Sequence, residues 1–308
     1  MHPRIDYSLG SGHTAADYPT LDDRLAQARA VVETALDAYD APVVLWTGGK
    51  DSTLLLWLVR QVATERGVPT PPVVFIDHFD HFTAEAAFVE RWSKRWNLDL
   101  LVARNEELSV FEPGELVPVD ALPRRARREL RTVLGYDRDE FVVSPDSPEG
   151  AHLLQTLVLS DLLRDHGFDG VFTGVRWDEL PARSDETFFS PRHDAPVPHD
   201  RVHPLLALTE RDVWDVTWGK LVPDVVEGYP LGHVPRDQQD LPPDITVTDL
   251  PVSQKYFEGY RSIGTASGSG RAGDRPAWVV AGDGSPERAG RAIETESRMR
   301  RLRDLGFM

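Results

Sequence analysis

The segment with the clearest chemical potential is 47–53, which reads Thr-Gly-Gly-Lys-Asp-Ser-Thr. Gly48 and Gly49 let the backbone approach an anion closely, and the N–H groups of a helix that starts there would point at it. Lys50 adds a mobile positive charge. Asp51 would repel a phosphate unless a divalent cation lay between them, which indicates Mg²⁺. These residues predict a loop that binds phosphate groups.

This loop differs from the Walker A motif, in which four residues separate the glycine from a Gly-Lys pair. Here Gly48, Gly49 and Lys50 are adjacent, and Ser52 and Thr53 add hydroxyls behind them. A tight turn with a capping hydroxyl is the alternative interpretation. An apolar strand, two glycines, Lys-Asp-Ser and a helix in this order favour a phosphate site instead.

Two further groups of polar side chains follow predicted strands. Asp77 and His78 come directly after the apolar run 73–76. The second group follows the apolar run 170–173 and consists of Gly174, Arg176, Asp178, Glu179 and Arg183. Ligands of open α/β sheets bind at the carboxyl ends of the strands, so we expect both groups to lie near the glycine loop.

Each group also has a structural interpretation. Arg176 could be no more than an ion-pair partner of Asp178 or Glu179, as most charged pairs are. His78 and His81 form a His-x-x-His pair, but a strand end lacks the spacing of a helical zinc site, so we expect no zinc there.

The elements that must position these residues alternate along the chain. The predicted helices are 21–40, capped by Thr20, 52–66, ended by Gly67, 83–96, 151–166 and 209–218. The predicted strands are 42–46, 73–76, 98–103 and 170–173. Strands and helices that alternate in this way predict an α/β fold with a Rossmann-like parallel sheet.

The chain divides into three predicted parts. Residues 1–20 form an N-terminal arm, 21–220 a nucleotide-binding α/β domain, and 221–308 an irregular C-terminal region with a terminal helix over 286–305. Within the domain, 105–150 is an insertion and 177–204 a long polar loop. Residues 265–274 are expected to form a flexible linker or loop.

Two smaller features need an interpretation. Trp214 and Trp218 are expected to pack in the core. The run Arg124, Arg125, Arg127, Arg128 and Arg131 is typical of a solvated helix face, with RNA or a partner as the alternative ligand.

Composition excludes several classes. A formal net charge of -16 argues against a nucleic-acid binder, and no apolar run reaches the roughly 18 residues of a membrane span. The N-terminus shows no apolar signal segment, so we expect a cytoplasmic enzyme. The sequence has no cysteine, which excludes a catalytic thiol and a cysteine-ligated metal within these 308 residues. The scarcity of lysine among many carboxylates is compatible with a salt-rich cytoplasm or with a GC-rich genome.

The loop resembles the S-G-G-x-D-S pyrophosphate-binding loop (PP-loop) of the ATP pyrophosphatase superfamily, with Thr47 in place of the first serine. Further segments are similar to motifs of phosphoadenosine phosphosulfate (PAPS) reductases and of the small subunit of bacterial ATP sulfurylase. These segments are 75–82, 167–179, 202–214, 260–264 and 287–291, the last two similar to the sulfurylase motifs F-R-T-L-G and E-R-Q-G-R. The resemblance covers most of the chain from residue 40 onward.

The resemblance implies a fold of the adenine nucleotide α-hydrolase type and a set of roles. The glycine loop, Lys50 and Ser52 would hold the β- and γ-phosphates of ATP. Asp51, together with Asp77, would hold Mg²⁺, and Asp77 and His78 would close the strand end near ribose or adenine. Arg176 and Arg183 would clamp an oxyanion acceptor, oriented by Asp178 and Glu179, because planar guanidinium groups bind tetrahedral oxyanions bidentately.

The implied activity is adenylyl transfer, from ATP and sulfate to adenylyl sulfate and pyrophosphate. PAPS reductases use a cysteine that this chain lacks, so reduction is not expected. Trp177 stands where the sulfurylase has a second arginine, and His81 where it has a lysine, so the acceptor stays open. The alternatives are adenylation of another acid, and a sensor that binds ATP, adenylyl sulfate or PAPS without turnover. A GTPase large subunit and a homo-oligomer are the partners to consider.

Overall fold

A computed structural model describes residues 2–288. The helices are α1 (Leu21–Ala38), α2 (Lys50–Arg66), α3 (Thr83–Arg95), α4 (Arg124–Arg128), α5 (Pro148–Ala151), α6 (Leu157–His166), α7 (Glu210–Val216), α8 (Val222–Val225), α9 (Gln254–Phe257) and α10 (Ala277–Val280). The strands are β1 (Pro42–Leu45), β2 (Val73–Ile76), β3 (Leu100–Ala103), β4 (Leu116–Pro118), β5 (Glu140–Val142), β6 (Gly170–Phe172), β7 (Phe189–Arg192) and β8 (His199–Val202). Three π-turns, at His152–Thr156, Glu129–Val133 and Thr217–Leu221, extend helices. No helix within residues 2–288 is long and apolar enough to cross a membrane.

The central sheet has six strands in the order β3-β2-β1-β6-β8-β7, and only β7 runs antiparallel. This confirms the predicted α/β fold with a mostly parallel sheet. From β1 the chain adds β2 and β3 on one side, and it then returns to add β6 on the other side of β1. β1 and β6 are therefore parallel neighbours, and the order in which strands are added reverses between them. Such a switch point opens a crevice at the carboxyl ends of the two strands.

Alternating side chains bury both faces of the sheet. Val44 and Phe172 pack in a large core with α1, α2 and α7, whereas Val43 and Val171 pack against α6. A strand that is covered on both faces reads as a continuous apolar run, which is why β1 and β6 could be predicted.

The predicted ends of the first two helices are nearly right. Thr20 caps α1 through a reciprocal capping box with Asp23, and Gly67 ends α2 with a left-handed φ of 67°. α2 begins at Lys50, two residues before the predicted start, so the lysine of the loop already belongs to the first helical turn.

The prediction of a polar loop over 177–204 is wrong. This segment contains β7 and β8, and β8 pairs in parallel with β6. The strand was missed because it carries His199, Asp200 and Arg201, all of which are buried.

Buried polar groups need partners, and β8 has them. Asp200 accepts hydrogen bonds from Tyr7 Oη at 2.6 Å and from Tyr39 Oη at 2.9 Å, and Arg201 Nε donates to His199 Nε2 at 3.1 Å. The tyrosines come from the N-terminal arm and the end of α1, so residues far away in the sequence make a polar strand compatible with the core.

The segment 105–150 forms a small sheet of its own, with β4 and β5 paired antiparallel, and a separate apolar cluster around Val117, Leu130 and Phe141. The basic run lies on α4 and the turn after it. Arg125 donates two hydrogen bonds to Asp161, at 2.7 and 2.8 Å. A solvated helix face stays the prediction for this run, with binding of RNA or a partner as its alternative.

Short helices and turns make up residues 221–288. Trp218 packs against Trp278 with ring centroids 4.8 Å apart, and both Trp214 and Trp218 are buried, which confirms their predicted place in the core. The loop of 265–274 is tied down, since Thr265 Oγ1 donates to Asp146 Oδ1 at 2.6 Å. Nearly all of the predicted terminal helix lies outside the described residues.

One close contact tests this packing. A methyl group on Gly170 would lie 2.5 Å from the ring of Tyr39, whose hydroxyl is held by Asp200. We expect Gly170→Ala to lower the free energy of unfolding by about 1–3 kcal/mol through overpacking. Gly219→Ala is the control, because no atom lies within 4 Å of its added methyl group, and it should change stability by at most about 1 kcal/mol. Equal effects in urea unfolding would contradict the packing.

Candidate active site

A cavity of about 330 Å³ lies at the carboxyl ends of β1, β2 and β6. Its walls include the glycine loop, the end of β2 with His78, and the segment after β6 with Glu179 and Arg183. Gly174 brings the segment after β6 against α2, because an added Cβ there would lie 3.0 Å from the backbone of Asp51 and Ser52. The structure therefore brings members of each predicted group together around one cavity, whereas Asp77, Arg176 and Asp178 do not line it.

The glycine loop has a specific backbone geometry. Gly48 has φ +80°, which L side chains rarely adopt, and an added Cβ would lie 2.8 Å from Glu85 Oε1. Gly49 is the N-cap of α2. Because glycine has no side chain, it cannot accept a hydrogen bond from the N–H groups in the first turn of α2. Lys50 N donates to Tyr256 Oη at 2.9 Å, which ties the loop to α9. This helix start can receive an anion.

The hydroxyls of the loop have different places. Ser52 Oγ lies 3.0 Å from Thr47 Oγ1 and accepts a hydrogen bond from Thr47 N at 3.2 Å, and both residues line the cavity. Thr53 Oγ1 instead accepts a hydrogen bond from Trp46 Nε1 at 2.9 Å inside the core. Thr53 thus supports the loop from behind rather than facing the cavity.

Lys50 and Arg176 are at the centre of an ion network. Lys50 Nζ lies 3.1 Å from Asp51 Oδ2 and 2.5 Å from Glu287 Oε1. Arg176 is fully buried and pairs with Asp51, with Glu287 and, through Nε at 2.9 Å, with Asp178. Its position supports the ion-pair interpretation of Arg176, whereas the role of an acceptor clamp stays a prediction.

The network continues at Glu179. Its carboxylate lies 3.2 Å from Arg183 Nη1 and 2.7 Å from Arg288 Nη1, and all three residues line the cavity. Asp178 accepts a hydrogen bond from Glu210 N at 2.7 Å, at the start of α7. The structure thus places Asp178 and Glu179 beside arginines, as the prediction of orienting carboxylates requires.

The charges of this network cancel. Four cations face four carboxylates: Lys50, Arg176, Arg183 and Arg288 with Asp51, Asp178, Glu179 and Glu287. Burial would raise the pKa of Glu287, but Lys50 and Arg176 outweigh burial and lower this pKa to about 2. The carboxylate is therefore ionised at neutral pH. Burial lowers the pKa of Arg176, but Glu287, Asp178 and Glu179 outweigh burial and raise it.

The predicted metal ligands do not form a preassembled site. Both oxygens of Asp51 face cations, Oδ1 toward Arg176 and Oδ2 toward Lys50. Asp77 accepts a hydrogen bond from Phe79 N at 2.9 Å, and His78 stacks on His81 with ring centroids 3.8 Å apart. Within residues 2–288 no group of three or more metal-ligating side chains is arranged to hold a metal ion. Magnesium stays a prediction.

Trp177, which replaces a cation of the family pattern, lies away from the cavity. Its ring contacts Phe188 at 5.4 Å between centroids and stacks on Tyr18 at 6.3 Å, and its Nε1 donates to Glu186 O at 2.9 Å. It anchors the N-terminal arm, so it does not narrow the space for an acceptor.

Several cavity-lining residues were missed as site residues, among them Glu85, Arg201, Glu287 and Arg288. Glu287 and Arg288 lie in a segment that resembles E-R-Q-G-R, so their signal was available. Glu85 looked like any acidic residue in the first turn of a helix, and Arg201 lay in the supposed polar loop. No sequence pattern marks these last two.

A mostly parallel sheet, with a glycine loop at its switch point and basic side chains around the same cavity, defines an α/β protein of the nucleotide-binding type. The family model described as phosphoadenosine phosphosulfate reductase domain matches residues 41–270. The chain belongs to this family.

Curated relatives and solved structures add two comparisons. A protein of Azospirillum brasilense named sulfate adenylyltransferase subunit 2 is 29% identical over 232 residues, which cover 67% of this chain and 68% of the relative. A protein of the same name from Saccharophagus degradans is 23% identical over 283 residues and covers 91% and 78%. Candida glabrata FMN adenylyltransferase, in complex with FMN and the ATP analogue AMPCPP, superposes with a TM-score of 0.56 at 15% identity, covering 88% of this chain and 90% of that one, and shows the shared fold.

The balanced network leads to a prediction for Glu287→Gln. Removal of one carboxylate leaves Lys50 and Arg176 with excess positive charge, so we expect a lower Tm without anions and binding of inorganic pyrophosphate that is tighter by about threefold or more at low salt. Calorimetry and thermal unfolding measure both effects. Glu106→Gln, which changes an exposed ion pair with Arg104, is the matched control. Weaker pyrophosphate binding by Glu287→Gln would show that this carboxylate does not compete with phosphate.

Proposed function

We propose that this protein is an ATP-dependent adenylyltransferase, and that sulfate is its acceptor. The observation that supports this most is one cavity in which the glycine loop and Lys50 face Arg183 and Arg288. Such a cavity offers one place for a polyphosphate and another for a second anion.

The reaction joins the acceptor to the α-phosphorus of ATP. An acceptor oxygen attacks this phosphorus, the new P–O bond forms, and the bond to the β-phosphate bridging oxygen breaks with its electron pair leaving on pyrophosphate. Nothing is oxidised or reduced, so the missing cysteine is no obstacle. The reaction depends mainly on positioning and on neutralisation of charge.

The chain offers groups for each task. N–H groups at the start of α2, Lys50 and Ser52 would bind the β- and γ-phosphates, and the apolar ends of β1 and β2 would accommodate adenine. Arg183 would bind the acceptor through the guanidinium N–H groups that do not pair with Glu179. The buried Nε of Arg183 has no hydrogen-bond partner among the described residues. Magnesium would enter as the counterion of ATP, with Asp51 nearby.

Sulfate is the preferred acceptor because relatives that match two thirds or more of this chain carry the name sulfate adenylyltransferase subunit 2. Because these relatives are named as one subunit of an enzyme, a large subunit is a proposed partner of this chain. In the family that the sequence resembles, this large subunit is a GTPase. A homo-oligomer and a cytoplasmic location stay predictions.

A second candidate is adenylation of another acid. Trp177 stands in place of one cation of the family pattern in the segment after β6, and it packs under the N-terminal arm. An acceptor with less charge than sulfate would need fewer arginines.

One assay tests these candidates. We expect pyrophosphate release from ATP to depend on one member of a panel of oxyanions and carboxylic acids, with and without a candidate GTPase partner. Lys50→Ala should lower turnover by more than tenfold, since loss of a charge that stabilises the transition state costs about 2–4 kcal/mol. Lys220→Ala removes an exposed lysine and should leave the rate unchanged.

The results separate the alternatives. Release that requires sulfate supports the first candidate, and release that requires a different acid supports the second. Nucleotide binding without release under any condition would overturn adenylyl transfer and favour a sensor.

A further inference from the structure

Glu85 is a buried carboxylate that no part of the proposed reaction uses. It lies in the first turn of α3 with 2% of its surface exposed, and it lines the same cavity as Lys50 and Tyr256. Its Oε2 accepts a hydrogen bond from Ser253 Oγ at 2.7 Å. Its Oε1 is buried without a hydrogen-bond partner among the described residues.

The position of Oε1 relates it to the glycine loop. It lies 2.8 Å from the point where a Cβ of Gly48 would be, so only a glycine leaves this oxygen room beside the loop. A buried polar atom without a partner is costly, and such an atom at a ligand cavity is expected to find its partner in the ligand.

The charge state of Glu85 decides which ligand atom it can contact. An ionised carboxylate would repel phosphate oxygens, whereas a protonated carboxyl group has one O–H donor. Burial raises the pKa of Glu85 to about 7, against the opposing effects of Ser253 and of the Lys255 ammonium. The other titratable groups nearby are Lys50 on α2, with its ammonium in the ion network, and Tyr256 on α9, whose pKa burial raises to about 12.

We propose that Glu85 is a binding residue of the polyphosphate subsite, where its protonated carboxyl group donates a hydrogen bond to a phosphate oxygen of the nucleotide. This inference rests on the proposed function, because it assumes that the glycine loop binds the β- and γ-phosphates. It adds a consequence that the loop alone does not have, namely that polyphosphate affinity falls as pH rises past neutrality.

The test compares the full-length protein with Glu85→Gln, whose amide keeps an acceptor for Ser253 and a permanent donor in place of Oε1. Binding of ATP, inorganic pyrophosphate and AMP is measured by calorimetry from pH 6 to pH 8.5. Circular dichroism and thermal unfolding at each pH confirm that both proteins are folded. The ratio of the two Kd values removes the protonation of the ligand itself, since both proteins bind the same ligand.

We expect the ratio of wild-type Kd to Glu85→Gln Kd to be close to one at pH 6 and to rise about tenfold by pH 8 for ATP and pyrophosphate, because one pH unit above a pKa of about 7 leaves about a tenth of the carboxyl groups protonated. For AMP, which lacks the β- and γ-phosphates, the ratio should not change. A pH-independent ratio for ATP, or the same rise for AMP, would overturn the role of Glu85 while leaving the loop as a nucleotide site. No binding of ATP or pyrophosphate by either protein would overturn the proposed function and this inference together.

Discussion

The buried guanidinium group of Arg176 is the constraint on which the site depends. An arginine taken out of water needs partners that compensate for its lost hydration, and here Asp51, Asp178 and Glu287 surround Arg176. Asp51 belongs to α2, and Glu287 belongs to the C-terminal segment. Asp178 lies after β6 and accepts a hydrogen bond from the backbone N–H of Glu210 at the start of α7. One side chain therefore fixes the glycine loop relative to two other parts of the chain. Its removal would take the arginine from Asp178 and leave Asp51 and Glu287 to share Lys50.

The same pairing limits what the site can bind. Because four cations already meet four carboxylates, a polyphosphate gains strong attraction only if some of these pairs open. Glu287 is a carboxylate that can give way, since it lies in a turn, whereas Asp51 belongs to α2 and Asp178 is held by the start of α7. In the proposed reaction, nucleotide binding would then exchange a protein carboxylate for phosphate.

Much of this arrangement follows from local sequence patterns. Continuous apolar runs predicted β1 and β6, and the residues after them predicted the polar groups that line the cavity, because parallel strands end at one edge. β8 could not be predicted, since it is rich in polar side chains, and Asp200 is buried with hydrogen bonds from Tyr7 and Tyr39, which lie far away in the chain. Glu85 could not be predicted either, because its role depends on contact with the loop rather than on its neighbours in sequence.

Identification of the product tests the central claim, attack of an acceptor on the α-phosphorus, most directly. The protein is incubated with ATP and ¹⁸O-labelled sulfate, with inorganic pyrophosphatase present to draw the reaction forward and with the candidate GTPase partner supplied. Mass spectrometry should find adenylyl sulfate that carries all the sulfate oxygens, including the bridging one, and ³¹P NMR should show phosphate derived from pyrophosphate. Formation of ADP instead, or of AMP and pyrophosphate without an acceptor adduct for any acid supplied, would contradict the account.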